Sequence, residues 1–134
     1  MHLRILLYLT LAFSSALYAE MSEIYLKNRN RLSVKTVDLS GTKLKVEYFG
    51  NTLTIPSSEV LWLKVQGDHV VFTTDGSRLV GTSREAKSGE KGFLNFILKN
   101  GVRMDLEQTK IVRLLGLPQY EEEERKAREA AKNK

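Results

Sequence analysis

His69 would be the only imidazole left in this chain once a cleavable leader had gone, and it follows Gly67-Asp68. An imidazole next to a carboxylate could serve as a general base oriented by its neighbour. No marked nucleophile accompanies it, so a Ser-His-Asp arrangement lacks its centre. The plainer expectation is an exposed turn residue. Asp75-Gly76-Ser77 resembles the start of a cation loop but lacks the further acidic positions, and Asp-Gly is hairpin-turn chemistry. The sequence holds no His-Glu-x-x-His, no cysteine and no phosphate-cradling glycine loop. Glu47 and Glu59 sit among ordinary strand and turn residues. Carboxylates far apart in sequence can meet in a barrel, so a hydrolase with a dispersed acidic site is the alternative to a non-enzyme. The expectation is no enzyme: no catalytic, cofactor-binding or metal-binding residue is assigned, and no cofactor is expected.

The residues better suited to holding something are an aromatic and several cations. Trp62 shares a strand face with Val60 and Lys64, while Leu61, Leu63 and Val65 on the opposite face supply core. A half-exposed Trp beside a Lys can anchor a partner. Lys35, Lys43 and Lys45 complete the candidate surface of Trp62, Lys64, Lys43, Lys45 and Lys35. The phenylalanines, Phe49, Phe72, Phe93 and Phe96, are expected in the core, the alternative being a stacking platform for sugars or bases.

What must position these residues is a set of short strands. Lys43 to Tyr48 alternates strictly, with Leu44, Val46 and Tyr48 on one face, and Thr52 to Ile55 does the same. Val60 to Val65 and Val70 to Thr74 are denser in apolar residues and read as more buried. Arg78 to Thr82, Phe93 to Lys99, Val102 to Leu106, Ile111 to Leu115 and Val34 to Leu39 follow, with Ile24 to Lys27 a weaker candidate. Asp75-Gly76 and Asn100-Gly101 tolerate the positive φ of tight hairpins. Ser40-Gly41, Gly50-Asn51 and Gly67-Asp68 are also turn-like. Ser83 to Gly92 is polar and reads as a long loop. The expected class is all-β, a small barrel or sandwich of about eight to ten short antiparallel strands, because a sheet of this size must cover its edges.

A partial internal repeat runs through this set. Gly50, Leu53, Ile55, Val60, Leu61 and Leu63 align with Gly101, Met104, Leu106, Ile111, Val112 and Leu114, each pair 51 apart. Asn30-Arg31-Leu32 aligns with Ser77-Arg78-Leu79 at 47. Strand parity fails in between, since Leu94, Phe96 and Leu98 fall opposite Lys43, Lys45 and Glu47. Either the chain is a duplication or two hairpins obeying the same rules look alike. If duplicated, each half is too small to fold alone and the two complete one core.

Leu117-Pro118 ends the strands. Residues 118–134 form a charged tail, helical or disordered, with Glu first and Lys/Arg later, an order that suits the helix dipole. Glu121 can reach Arg125, Glu122 can reach Lys126 and Glu124 can reach Arg128 at i,i+4. Tyr120 and three alanines are its only apolar side chains, so a solvated, fraying helix is expected.

Residues 1–19 read as a secretory leader: Arg4, an apolar run from Ile5 to Phe13, then small Ala16 and Ala19 before Glu20. The apolar stretch to Ala19 is shorter than the about 20 residues that span a bilayer. Cleavage there leaves residues 20–117 as one β domain plus the tail, exported to the periplasm or beyond, with no transmembrane segment. Residues 20–117 carry 15 Lys and Arg against 11 Asp and Glu, a net of +4, and the tail is neutral. A mildly basic exported body meets anionic glycans, lipid headgroups or acidic proteins rather than nucleic acid. Thr54-Ile55-Pro56-Ser57-Ser58-Glu59-Val60 resembles the Ile-Pro-Ser-x-x-Val segment that leads through a short 3₁₀ turn into the last strand of SH3-type and Sm-like small barrels. Members of that group bind peptides, RNA or cell-wall material, or scaffold. Glu59 stands where peptide-binding members carry an aromatic. The expected function is a non-catalytic envelope module that binds or scaffolds proteins. The alternative is a binder of anionic glycan, peptidoglycan or lipid headgroups.

Overall fold

The computed structural model describes residues 21–84 and 92–133. The leader and most of the segment read as a long loop (85–91) lie outside the described residues. Eleven strands form one curled sheet: β1 (Ser22–Leu26), β2 (Arg31–Val34), β3 (Val37–Ser40), β4 (Lys43–Tyr48), β5 (Asn51–Pro56), β6 (Val60–Lys64), β7 (His69–Thr73), β8 (Arg78–Ser83), β9 (Leu94–Leu98), β10 (Arg103–Leu106) and β11 (Ile111–Gly116). A helix, α1 (Leu117–Lys132), follows. The expected all-β class with a polar C-terminal helix is the class observed.

The strand order is β2-β1-β6-β9-β8-β7-β11-β3-β4-β5, with β10 added on β9. All pairings are antiparallel except a short parallel contact of β6 with β9 at Leu63 and Leu94. The sheet is curled, and at the β2–β3 corner the β3·β4 ladder runs one step past Val37·Val46. The Lys35 N–H donates to the Glu47 carbonyl at 2.9 Å, and the Glu47 N–H donates to the Thr36 carbonyl at 3.2 Å. A single strand from Val34 to Leu39 is the sequence expectation; instead β2 runs from Arg31 and ends at Val34, the chain bends at Lys35-Thr36, and β3 begins at Val37.

The repeat is visible in the pairing itself. Ser22 faces Val34 in β1·β2, and His69 faces Gly81 in β7·β8, each position 47 further on. Ile24 faces Leu63 in β1·β6, and Val71 faces Leu114 in β7·β11. Each half carries a 3₁₀ turn before its last strand, at Ser57–Glu59 and at Gln108–Lys110. The parity mismatch has a simple cause. The β4·β5 hairpin turns through two residues, Phe49 and Gly50, between Tyr48 and Asn51. The β9·β10 hairpin takes three, Lys99 to Gly101, closed by the Leu98 N–H on the Val102 carbonyl at 2.8 Å. One extra turn residue moves β9 to an offset of 50, so Leu94 and Phe96 occupy the inward places of Leu44 and Val46.

Those inward residues make a single core. Ile24, Val34, Leu39, Leu44, Val46 and Leu63 from the first half pack in one cluster with Val71, Leu94, Phe96 and Leu114 from the second. Each buried aliphatic or aromatic side chain contributes roughly 1.5–3 kcal/mol. Neither half encloses its own core, which is why the sheet is shared.

Three sequence expectations need correction here. His69 is not an exposed turn residue: it begins β7 and is buried. Phe49 is not core, because it sits in the two-residue turn with φ 47° and is 76 % exposed. Leu61 does not join Leu63 and Val65 inside. The β1·β6 register slips at Tyr25/Leu26, so a bulge pushes Leu61 out to 56 % exposure. The matching slip in β7·β11 extrudes Val112.

Candidate functional site

The bulge at Leu61 aims Trp62 and Lys64 at the outer face of β6. Register then builds a row across three strands: Trp62 on β6 faces Tyr25 on β1, which faces Arg31 on β2. The Tyr25 and Trp62 rings stack at 3.6 Å between centroids and 12° between planes. The Arg31 guanidinium lies 6.0 Å from the Tyr25 ring centroid on this same row. Bonding to Tyr25, and then the charge of Glu23, raises the Arg31 pKa above its ordinary value. Tyr25 also donates its hydroxyl proton to Glu23 Oε2 at 2.9 Å. One step along the strands, Lys64, Glu23 and Ser33 form a second, polar row on the same face.

The second half repeats this geometry with different chemistry. Arg113 on β11 faces Phe72 on β7, which faces Arg78 on β8. Beside them, where the first half has Lys64 and Glu23, stand Leu115 and Val70, both fully buried. α1 lies over this row. Tyr120 reaches to 5.6 Å of the Phe72 ring, and the Arg78 guanidinium sits 4.9 Å from the Tyr120 centroid. Arg113 donates to both oxygens of Glu123, at 3.0 and 2.8 Å, and to Asp38 at 3.4 Å. This pairing lowers the Glu123 pKa and raises that of Arg113.

The helix starts where Gly116 donates its N–H to Gln119 Oε1 at 3.0 Å, with Pro118 in the first turn. A Cβ on Gly116 would meet that Gln119 oxygen at 2.9 Å. No residue of α1 is fully buried. The ion pairs that form along it are not those expected from spacing. Arg125 holds Glu122 at 2.5 Å and Glu129 at 2.6 Å, and Tyr120 donates to Glu124 at 2.5 Å.

The five residues proposed from sequence do not gather at one place. Trp62 and Lys64 share the outer face of β6, both half-buried. Lys43 and Lys45 are exposed on β4 and line two different hollows, of about 330 and 240 Å³. Lys35 stands at the β2–β3 corner beside Glu47. Sequence reasoning missed Tyr25 and Arg31. Their signal was the alignment of Arg31 with Arg78, but only register shows that Tyr25 lies between Arg31 and Trp62.

The residues weighed for catalysis make local contacts. The His69 Nδ1 lies 3.0 Å from the Gly67 carbonyl oxygen. Burial pushes its pKa below the usual value, against smaller opposing effects of Gly67 and Asp68. Asp68 turns instead to Lys99, at 2.7 Å. Asp75 accepts from the Thr73 hydroxyl and from the Ser77 N–H, so it closes the hairpin turn, and these bonds depress its pKa. Among the described residues no three of His, Asp or Glu gather in metal-binding geometry. No described helix is long and apolar enough to cross a membrane. Compared with family models, with curated proteins and with solved structures, the chain has no match.

Proposed function

We propose that this chain is an exported, non-catalytic binding module of the bacterial envelope, periplasmic in location, that holds a protein partner on the Trp62–Tyr25–Arg31 row. The observation that carries the reading is the contrast between two matching rows. One is covered by the chain's own Tyr- and Glu-bearing helix, while the other carries a half-buried stacked aromatic pair flanked by exposed Arg31 and by Lys64, with no helix over it among the described residues. Aromatic and Arg side chains on a firm sheet are the kind of anchor that interfaces use. Export rests on the order of charge, apolar run and small residues in 1–19. We further read each half as an SH3-type small barrel sharing its core with the other. The Pro56-Ser57 3₁₀ turn and its counterpart at Gln108–Lys110 support that reading.

Crosslinking in the native envelope, followed by mass spectrometry, tests it. A recurrent protein crosslinked near Lys64, lost in Trp62→Ala and in Arg31→Glu, is the expected result. A chain that keeps its N-terminus and stays in the cytoplasm overturns the location. The same crosslinks in both variants overturn the site. Arg31 and Lys64 beside an aromatic pair also suit an anionic glycan or lipid headgroup. Salt-sensitive retention on such ligands, weakened by Lys64→Glu and with no recurrent protein, would put that ligand class in place of the protein partner.

A further inference from the structure

We propose that two copies of this chain join edge to edge through β5, antiparallel about a two-fold axis at Leu53, to make one continuous sheet. β5 ends the strand order, so among the described residues one of its edges has no strand beside it. Natural sheets guard such edges with charge, proline or shortness. β10, the edge in the second half, does so: it has four residues and carries Arg103 and Asp105. β5 has six residues, Asn-Thr-Leu-Thr-Ile-Pro, with no charge and its only proline at the end.

Register states which backbone groups are open. In a two-residue hairpin the residues flanking the turn exchange hydrogen bonds. Tyr48·Asn51, Val46·Leu53 and Leu44·Ile55 are therefore the bonded pairs of β4·β5. The Ser57 N–H on the Thr42 carbonyl at 2.8 Å continues that phase. Pro56, which has no N–H to give, sits opposite Lys43 at a non-bonded place. The N–H and C=O of Thr52 and Thr54 thus point away from β4. Pairing Thr52 of one copy with Thr54 of the other uses all four of these groups on each strand. A shift to Thr52 against Thr52, or Thr54 against Thr54, uses fewer.

Side chains fit the same register. Leu53, 37 % exposed at the core edge, meets Leu53 of the second copy. Across the joined sheet Lys45 and Glu47 of one copy share rows with Glu47 and Lys45 of the other, so no row sets like charges at its two ends. Phe49 falls beside Pro56 and Ser57 of the second copy. There the hollow of about 330 Å³ lined by Thr42, Lys43, Thr54, Pro56, Ser57 and Ser58 opens. Phe49 holds φ 47°, a conformation a bulky residue avoids and Asn would adopt more readily. Within its own chain the Phe49 ring meets Tyr48 edge-on at 4.5 Å, and in the pair its exposed remainder seats in that hollow.

The chain has no cysteine, so a single one reports cleanly. Directly opposed residues at a non-bonded antiparallel site lie about 4.5 Å apart at Cα, within disulfide reach. Purified Leu53→Cys protein, oxidised with glutathione disulfide, should become a covalent dimer, while Val102→Cys, on an exposed site away from β5, should not. Analytical ultracentrifugation of the unmodified chain should give twice the chain mass. Phe49→Asn should fold at least as well by circular dichroism and dissociate at about tenfold lower dilution, a loss typical of one buried aromatic contact. A monomer at every concentration up to the solubility limit, or equal crosslinking at positions 53 and 102, overturns the proposal.

Discussion

The two halves of this sheet share their pairing and differ in what covers it. Their first strands, second strands and last strands keep the same registers, including a bulge that extrudes Leu61 in one and Val112 in the other. Yet the outer face of the second half is Val70, Leu115 and Phe72 under a helix, and that of the first is Glu23, Lys64 and Tyr25, half-buried and with no helix over them among the described residues. A common backbone therefore does not imply a common surface. Where the first half has Glu23 and Lys64 the second has Val70 and Leu115, and apolar side chains there are favourable only if something excludes the water, which the helix does.

The comparison breaks hardest at Gly81. It occupies the place of fully buried Val34, but a Cβ there would meet the Ile97 carbonyl oxygen at 2.1 Å. Gly81→Val makes the halves alike in sequence and should cost more than about 4 kcal/mol in urea unfolding, since backbone and not a flexible side chain stands in the way. Next comes the helix. Tyr120→Ala removes the ring between Phe72 and Arg78, and amide exchange in the first turns of α1 should quicken by about tenfold. Trp62→Ala, the matching operation on the open row, should leave that exchange unchanged.

A smaller effect separates His69 from Ser22, its counterpart in β1. Burial lowers the folded-state pKa of His69, so the unfolded chain binds the proton more readily. Stability is then full above the ordinary histidine value of about 6.5 and falls as pH drops below it. Thermal melts from neutral to mildly acidic pH should show this decline, and His69→Ser should flatten it in that range. The smallest effect belongs to Glu123→Gln. The Arg113 pair is half exposed and screened, so about 0.5 kcal/mol is expected, read as a slight loss of helical signal that high salt reproduces in the parent chain.

Much of this was legible beforehand, and the failures have causes. Alternation in Lys43 to Tyr48 placed Leu44 and Val46 inward, where they are. Gly76 and Gly101 marked hairpins because their φ values of 87° and 89° suit glycine. Leu61 was misplaced because a bulge breaks period two without any mark in composition. His69 was misplaced because a turn signal at Gly67-Asp68 does not say on which residue the next strand begins. Trp62 and Lys64 were found together because they lie two apart on one strand. Tyr25 and Arg31 were not, because cross-strand neighbours have no sequence spacing.

The amino-acid order alone determined the strands, the turns, the 51-residue echo between the halves and the absence of thiol chemistry, all of which depend on local preference and period. Only the tertiary structure decided that the halves share one core, that an extra residue at Lys99 to Gly101 restores the parity of β9, and that the helix lies over one aromatic row and not over the other. Those outcomes depend on register between distant strands, and register is set by the packing of the whole sheet rather than by any segment of it.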